Sequence, residues 1–202
     1  YPLLKTNFQL DYWQIGMLTL AFQVKASSLQ PLVGIYTDKR PLPFSLTVGF
    51  FAGHAEDKAP EQYLPQDWSA KAYEGVTIPP PLRGEPKYKA ALPPFLSNEA
   101  NEGRVRYHWR FDTPERYQAY MTRYYRLITE LDDAVGRIAD ELQVQGVYEN
   151  TLIVIIGDNG YFQADRGLAD KWYPYEESVR VPLVVRDPRL PPARRGTTRS
   201  QL

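Results

Sequence analysis

The feature that most constrains this chain is a helical stripe that runs almost directly into an unbroken apolar run. Between residues 114 and 145, apolar side chains fall at Tyr117, Met121, Tyr124, Ile128, Leu131, Val135, Ile138 and Leu142. Their spacing alternates between four and three, which places them on one face of a long α-helix. Asp112 or Thr113 can cap it, Pro114 suits its first turn and Gly146 can end it. Arg123, Arg126, Glu130, Asp133, Arg137 and Asp140 lie off the stripe and are predicted to form a solvated face. Thr151-Leu152-Ile153-Val154-Ile155-Ile156 follows with no polar alternation, the pattern of a central strand buried on both faces. Residues 44–51 and 181–186 are two further strands. Strand, long helix, strand predicts an α/β fold with a mostly parallel sheet flanked by helices.

Composition excludes several classes. The 202 residues carry 24 basic and 24 acidic side chains, and zero net charge argues against a broad nucleic-acid footprint. With no cysteine and two histidines, neither a disulfide nor a zinc site built on several His and Cys is possible. No apolar run approaches the ~18–20 residues of a membrane span. The start at Tyr1 and the end in a basic loop read as a piece of a longer protein. Residues 17–24 fit a short helix or a buried strand equally well. Residues 55–110 are proline-rich and predicted to be mostly loop, pinned to the core by Trp68, Tyr73, Tyr88, Phe95 and Trp109.

In open α/β sheets, functional groups gather beyond the carboxyl ends of strands. His54 lies just past the strand at 44–51. Asp158 and Asn159 lie just past the strand at 151–156. An Asp-Asn pair supplies hard oxygen ligands for a divalent cation, but Asp-Asn-Gly is also a common turn sequence. Spacing alone leaves both readings open.

Residues 152–187, LIVIIGDNGYFQADRGLADKWYPYEESVRVPLVVRD, resemble the C-terminal signature of the type I sulfatases, within the alkaline-phosphatase-like superfamily. Residues 124–142 resemble the helix before that strand, and 44–81 the family's middle region. The resemblance implies a sulfuric ester hydrolase with calcium, acting on a sulfated small molecule or carbohydrate, with the carbohydrate favoured. It assigns Asp158 and Asn159 as metal ligands, Lys171 as a sulfate-binding cation and His54 as a sulfate-binding or leaving-group histidine. It also implies a periplasmic, secreted or lysosomal setting. Arg166 stands where many relatives have histidine. Asp165, Glu176, Glu177, Arg180 and His108 are read as structural, the two glutamates and Arg180 as an ion-pair network at the entry to the last strand.

Two further family elements are absent from the chain. The Cys/Ser-x-Pro-Ser/Ala-Arg motif that matures to formylglycine, and the upstream Asp-Asp pair, are both missing from the sequence. Residues 1–40 are therefore an unassigned segment and 41–202 part of a sulfatase catalytic domain, inactive alone. Two rival readings remain: a non-catalytic sulfate- or glycan-binding relic, and a phosphatase or phosphodiesterase of the same superfamily.

Overall fold

The computed structural model describes residues 45–56 and 61–198. The chain divides into two compact units, Tyr1–Gly49 and Phe50–Leu202. Of the first, residues 45–49 carry no regular secondary structure, so the strand expected over 44–51 is not formed there. The helix-or-strand question at residues 17–24 falls outside the described residues.

The second unit is organised by four helices followed by short strands. Helices α1 (Pro86–Ala90), α2 (Pro94–Ser97) and α3 (Glu102–Arg110) lead into the long helix α4 (Pro114–Val144). α4 matches its expected span closely. The Thr113 hydroxyl accepts the Arg116 N–H, Pro114 fills the first turn, and Gly146 adopts φ +69° just past the end. Its N-terminal half is buried at Tyr117, Tyr120, Met121 and Leu127, whereas Ile128, expected on the buried stripe, is exposed.

The off-stripe face is not simply solvated. Glu130 is buried and accepts the Gln66 N–H at 2.6 Å and the Ser69 hydroxyl at 2.5 Å, while Arg126 donates to the Ala72 carbonyl. The proline-rich segment packs over this side of α4 and supplies the partners. Asp133 and Arg137 do pair, at 3.1 Å.

The loop expected over 55–110 thus contains three helices and is pinned differently. Tyr63 and Ile78 join Phe111, Tyr117 and Tyr120 in one core cluster, and Leu92 and Leu96 join Phe162 and Leu168 in another. Trp68, Phe95 and Trp109 are exposed. Tyr73 does anchor, its hydroxyl 2.8 Å from Thr129 Oγ1.

Strand β1 (Ile153–Ile156) is followed by the hairpin β2 (Phe162–Gln163) and β3 (Ala169–Asp170), the one-turn helix α5 (Glu176–Val179) and strand β4 (Leu183–Arg186). β1 and β4 pair antiparallel, Ile153 opposite Arg186 and Ile156 opposite Leu183. The expected parallel sheet is not seen among the described residues. The chain between β1 and β4 holds a hairpin and a single helical turn, and neighbours returning this way align antiparallel without a long helical crossover. Burial on both faces also fails: Val154 and Ile156 are exposed, because the sheet is two strands wide among the described residues.

Candidate functional site

The site is built at the tip of β1. Beyond Ile156 the chain bends at Asp158 and Asn159 and reaches Gly160. No side chain fits at Gly160: a Cβ would lie 2.6 Å from the Arg180 carbonyl oxygen and closer still to that of Glu177. The Gly160 N–H donates to the Ser178 carbonyl at 2.8 Å. Its φ is not left-handed, so this glycine serves a close backbone approach rather than the tight turn that Asp-Asn-Gly commonly makes.

The β2–β3 hairpin then folds the chain back on itself. Its register sets Phe162 opposite Asp170 and Gln163 opposite Ala169, which returns Lys171 toward Asn159. Lys171 Nζ donates to Asn159 Oδ1 at 2.7 Å. Asn159 Nδ2 donates to the Gly160 carbonyl at 2.8 Å, which turns the amide oxygen toward the lysine. Asn159, Lys171, Trp172, Pro174 and Val179 line an open cleft of about 450 Å³. Asp158 is exposed beside it.

Both neighbours of Lys171 are left-handed, Asp170 at φ +65° and Trp172 at φ +95°, and Ala164 and Arg166 share that region within the same hairpin. Non-glycine residues adopt it rarely, and such strain persists only where the surroundings enforce it. Here a buried ion cluster does so. The Asp170 carboxylate accepts from Arg110 Nη1, from Arg106 Nη1 at 2.8 Å and from the Tyr161 hydroxyl. Arg110 is fully buried and also donates to Gln62 Oε1. Burial drives the Tyr161 and Tyr63 phenols above the ordinary tyrosine range, so both stay neutral beside this cluster, Tyr161 as a donor to Asp170.

A second cluster secures the far side of the hairpin. Glu177 Oε1 accepts from Arg83 at 2.8 Å and Arg166 at 3.0 Å. Asp165 Oδ1 accepts the Arg83 N–H at 2.6 Å, and its carboxyl is raised chiefly by burial. Glu177 is therefore networked at the strand entry as expected, but to Arg83 and Arg166. Glu176 and Arg180 are exposed. His108 joins an ion cluster, 2.9 Å from Glu99 and 3.1 Å from Arg104.

The structure joins Asn159 and Lys171 directly, with Asp158 adjacent in the chain. It does not join His54 to them by a hydrogen bond. His54 is exposed, its Nδ1 is 2.8 Å from the Ala55 carbonyl and its ring packs 5.1 Å from that of Phe51. As metal ligands, Asp158 and Asn159 fit calcium in type but not in number. Calcium takes six to eight oxygens, Asn159 Oδ1 already accepts from Lys171, and among the described residues no three His, Cys, Asp or Glu side chains converge.

The sequence reading missed Arg106, Arg110, Asp170 and Tyr161. Its one available signal was the four-residue step from Arg106 to Arg110, which puts both guanidinium groups on one face of α3.

The Sulfatase family model matches residues 11–202, and the chain belongs to the sulfatase family. Among relatives, it is 37% identical over 87 residues to the N-acetylglucosamine-6-O-sulfatase of Bacteroides thetaiotaomicron, covering 43% of this chain and 15% of that protein. It is 30% identical over 154 residues to the multifunctional alkaline phosphatase superfamily protein PehA of Trinickia caryophylli, covering 72% of this chain and 29% of that protein. A separate similarity links it to the fosmidomycin resistance protein of Escherichia coli, 57% identical over 49 residues, 24% of this chain and 12% of that protein. The chain thus spans under a third of the length of each of these relatives.

Proposed function

We propose that this chain supplies the sulfate-binding edge of a sulfatase active site, which in the whole protein hydrolyses a sulfated carbohydrate. The observation that carries this reading is the Lys171–Asn159 hydrogen bond at the mouth of the cleft. An ammonium has three donors. One is spent on Asn159, leaving two for sulfate oxygens. A sulfate ester develops further negative charge on its leaving oxygen as the S–O bond breaks, and a cation held in place stabilises that change. The relative named for N-acetylglucosamine 6-O-sulfate cleavage supports a sugar substrate.

Asp158 and Asn159 would contribute part of the oxygen shell of a divalent cation, which supplies Lewis-acid stabilisation of sulfate when bound. His54 is assigned to the sulfate or the leaving group. With Nδ1–H directed at the Ala55 carbonyl, the remaining nitrogen, Nε2, donates a proton only from the imidazolium form. The formylglycine nucleophile has no residue in this sequence, so attack on sulfur is assigned outside these 202 residues. Residues 1–40 are proposed as a segment not assigned to the catalytic domain, although the family match begins at residue 11.

The test is Lys171→Ala in the whole enzyme. kcat/KM on a sulfate ester should fall by roughly 10²–10³, the size of one lost oxyanion donor, with an unchanged thermal melt. An unaltered rate constant, or a loss explained by a lower Tm, overturns the assignment.

A further inference from the structure

Trp172 is the one bulky aromatic among the left-handed residues of the hairpin and its exit, and the sulfate-binding role leaves it unexplained. Its φ is +95°, its side chain is 49% exposed, and it lines the cleft next to Lys171. A large residue held half in water in an unfavourable backbone region contributes little to a core. Such strain is retained where the side chain's direction matters. The direction is enforced from behind. Asp170, one residue before Lys171, is locked by Arg106 and Arg110, and the Arg106 guanidinium sits 5.1 Å from the centre of the Trp172 ring. Arg106 therefore grips both the carboxylate before Lys171 and the indole after it. The remainder of the indole borders an open cleft whose other walls include Pro174 and Val179. A charged group at one end and an aromatic wall beside it is the composition of a site for a small amphipathic ligand.

We propose that Trp172 is the ring-binding wall of a sugar subsite: the sulfate of a pyranose sulfate ester meets Lys171, and the apolar C–H face of the sugar ring packs on the indole. This rests on Lys171 being the sulfate cation. The same indole fits no requirement of a free sulfate ion, so the two ideas separate by experiment.

The test is ligand-observed NMR titration of the 202-residue chain with inorganic sulfate, glucosamine 6-sulfate, glucosamine and phenyl sulfate. The unaltered chain should bind glucosamine 6-sulfate more tightly than inorganic sulfate. Trp172→Ala should weaken glucosamine 6-sulfate about tenfold and leave inorganic sulfate unchanged, whereas Lys171→Ala should weaken both. Thermal melts accompany each variant, and Trp172→Gly, which accepts φ +95° without strain, repeats the measurement if the alanine variant melts early. Unchanged glucosamine 6-sulfate binding in Trp172→Ala overturns the subsite, as does no binding to the unaltered chain. A Trp172-dependent preference for phenyl sulfate overturns the assignment to a sugar. Loss of the sugar ester in Trp172→Ala while Lys171→Ala binds normally upholds the ring wall and removes the sulfate role of Lys171.

Discussion

Replacing Asp170 by asparagine should be the most damaging conservative change available near the site. Asparagine keeps the side chain's shape and tolerates the left-handed φ of +65°, so the substitution isolates the charge. In the native chain the carboxylate is nearly inaccessible and accepts from Arg110, Arg106 and Tyr161. Arg110 is fully buried, and no anion is left to balance it at Asp170 once the charge is gone. Removing one partner of a buried ion pair costs about 3–5 kcal/mol, because the other charge stays in a medium that solvates it poorly. Against a total stability of about 5–15 kcal/mol, that is a fifth or more of what a typical domain has. Urea unfolding followed by circular dichroism at low protein concentration is the assay. With a slope of about 1–3 kcal/mol per molar, the midpoint should fall by roughly 2 M. A loss below about 1 kcal/mol, the net worth of an ordinary hydrogen bond, would refute the claim that the cluster is held by charge. The double variant Asp170→Asn/Arg110→Met should recover part of the loss, since the buried guanidinium left without its anion is removed with it.

Gly160→Ala should cost about 1–3 kcal/mol, the range for overpacking, because the new methyl meets the backbone oxygens of Glu177 and Arg180; a Tm unchanged within error counts against that contact. Glu99 is held down from its ordinary 4.5 to about 2, first by the hydrogen bond from Lys89 and then by His108 and Arg104. Its folded value is lowered, so its contribution is complete above pH 4.5 and is lost as pH falls from there toward 2; Glu99→Gln should flatten that acid limb in a pH series of melts. Isothermal titration of the chain with calcium should give an affinity no better than about millimolar, the weak end expected of a sparse oxygen set, and micromolar binding would show a complete site within these residues.

The parts of this molecule that were legible in the sequence are those whose burial is apolar and periodic. α4 announced itself by its stripe, its Thr113 cap and Gly146. The apolar run gave β1 because nothing in it competes with a strand. The family signature implied separate roles for Asn159 and Lys171, and their contact comes from a two-residue hairpin register the sequence does not spell out. α3 was invisible for the opposite reason: its buried side chains include Arg104 and Arg110, so its inward face reads as solvent-loving. Glu130 was misplaced on the same logic, since its partners, Gln66 and Ser69, come from a segment that looked like free loop. The parallel sheet was inferred by letting α4 link two strands. The strand before it is not formed, and the strands that do pair lie on either side of a hairpin.

The ribbon formed by β1 and β4 has a consequence for how this material behaves in a tube. Leu152 just before β1, and Val154, Ile156, Leu183, Val184 and Val185 on the two strands, remain 47–64% exposed. Aliphatic patches of this kind, on a ribbon two strands wide among the described residues, invite chains to stack on one another. With zero net charge, nothing at long range opposes their approach at neutral pH. The isolated polypeptide should therefore be limited by its colloidal shelf life. Its loss on heating or concentrating will follow second-order encounter kinetics, faster at higher protein concentration, well before the aromatic core around Phe111 and Tyr117 gives way.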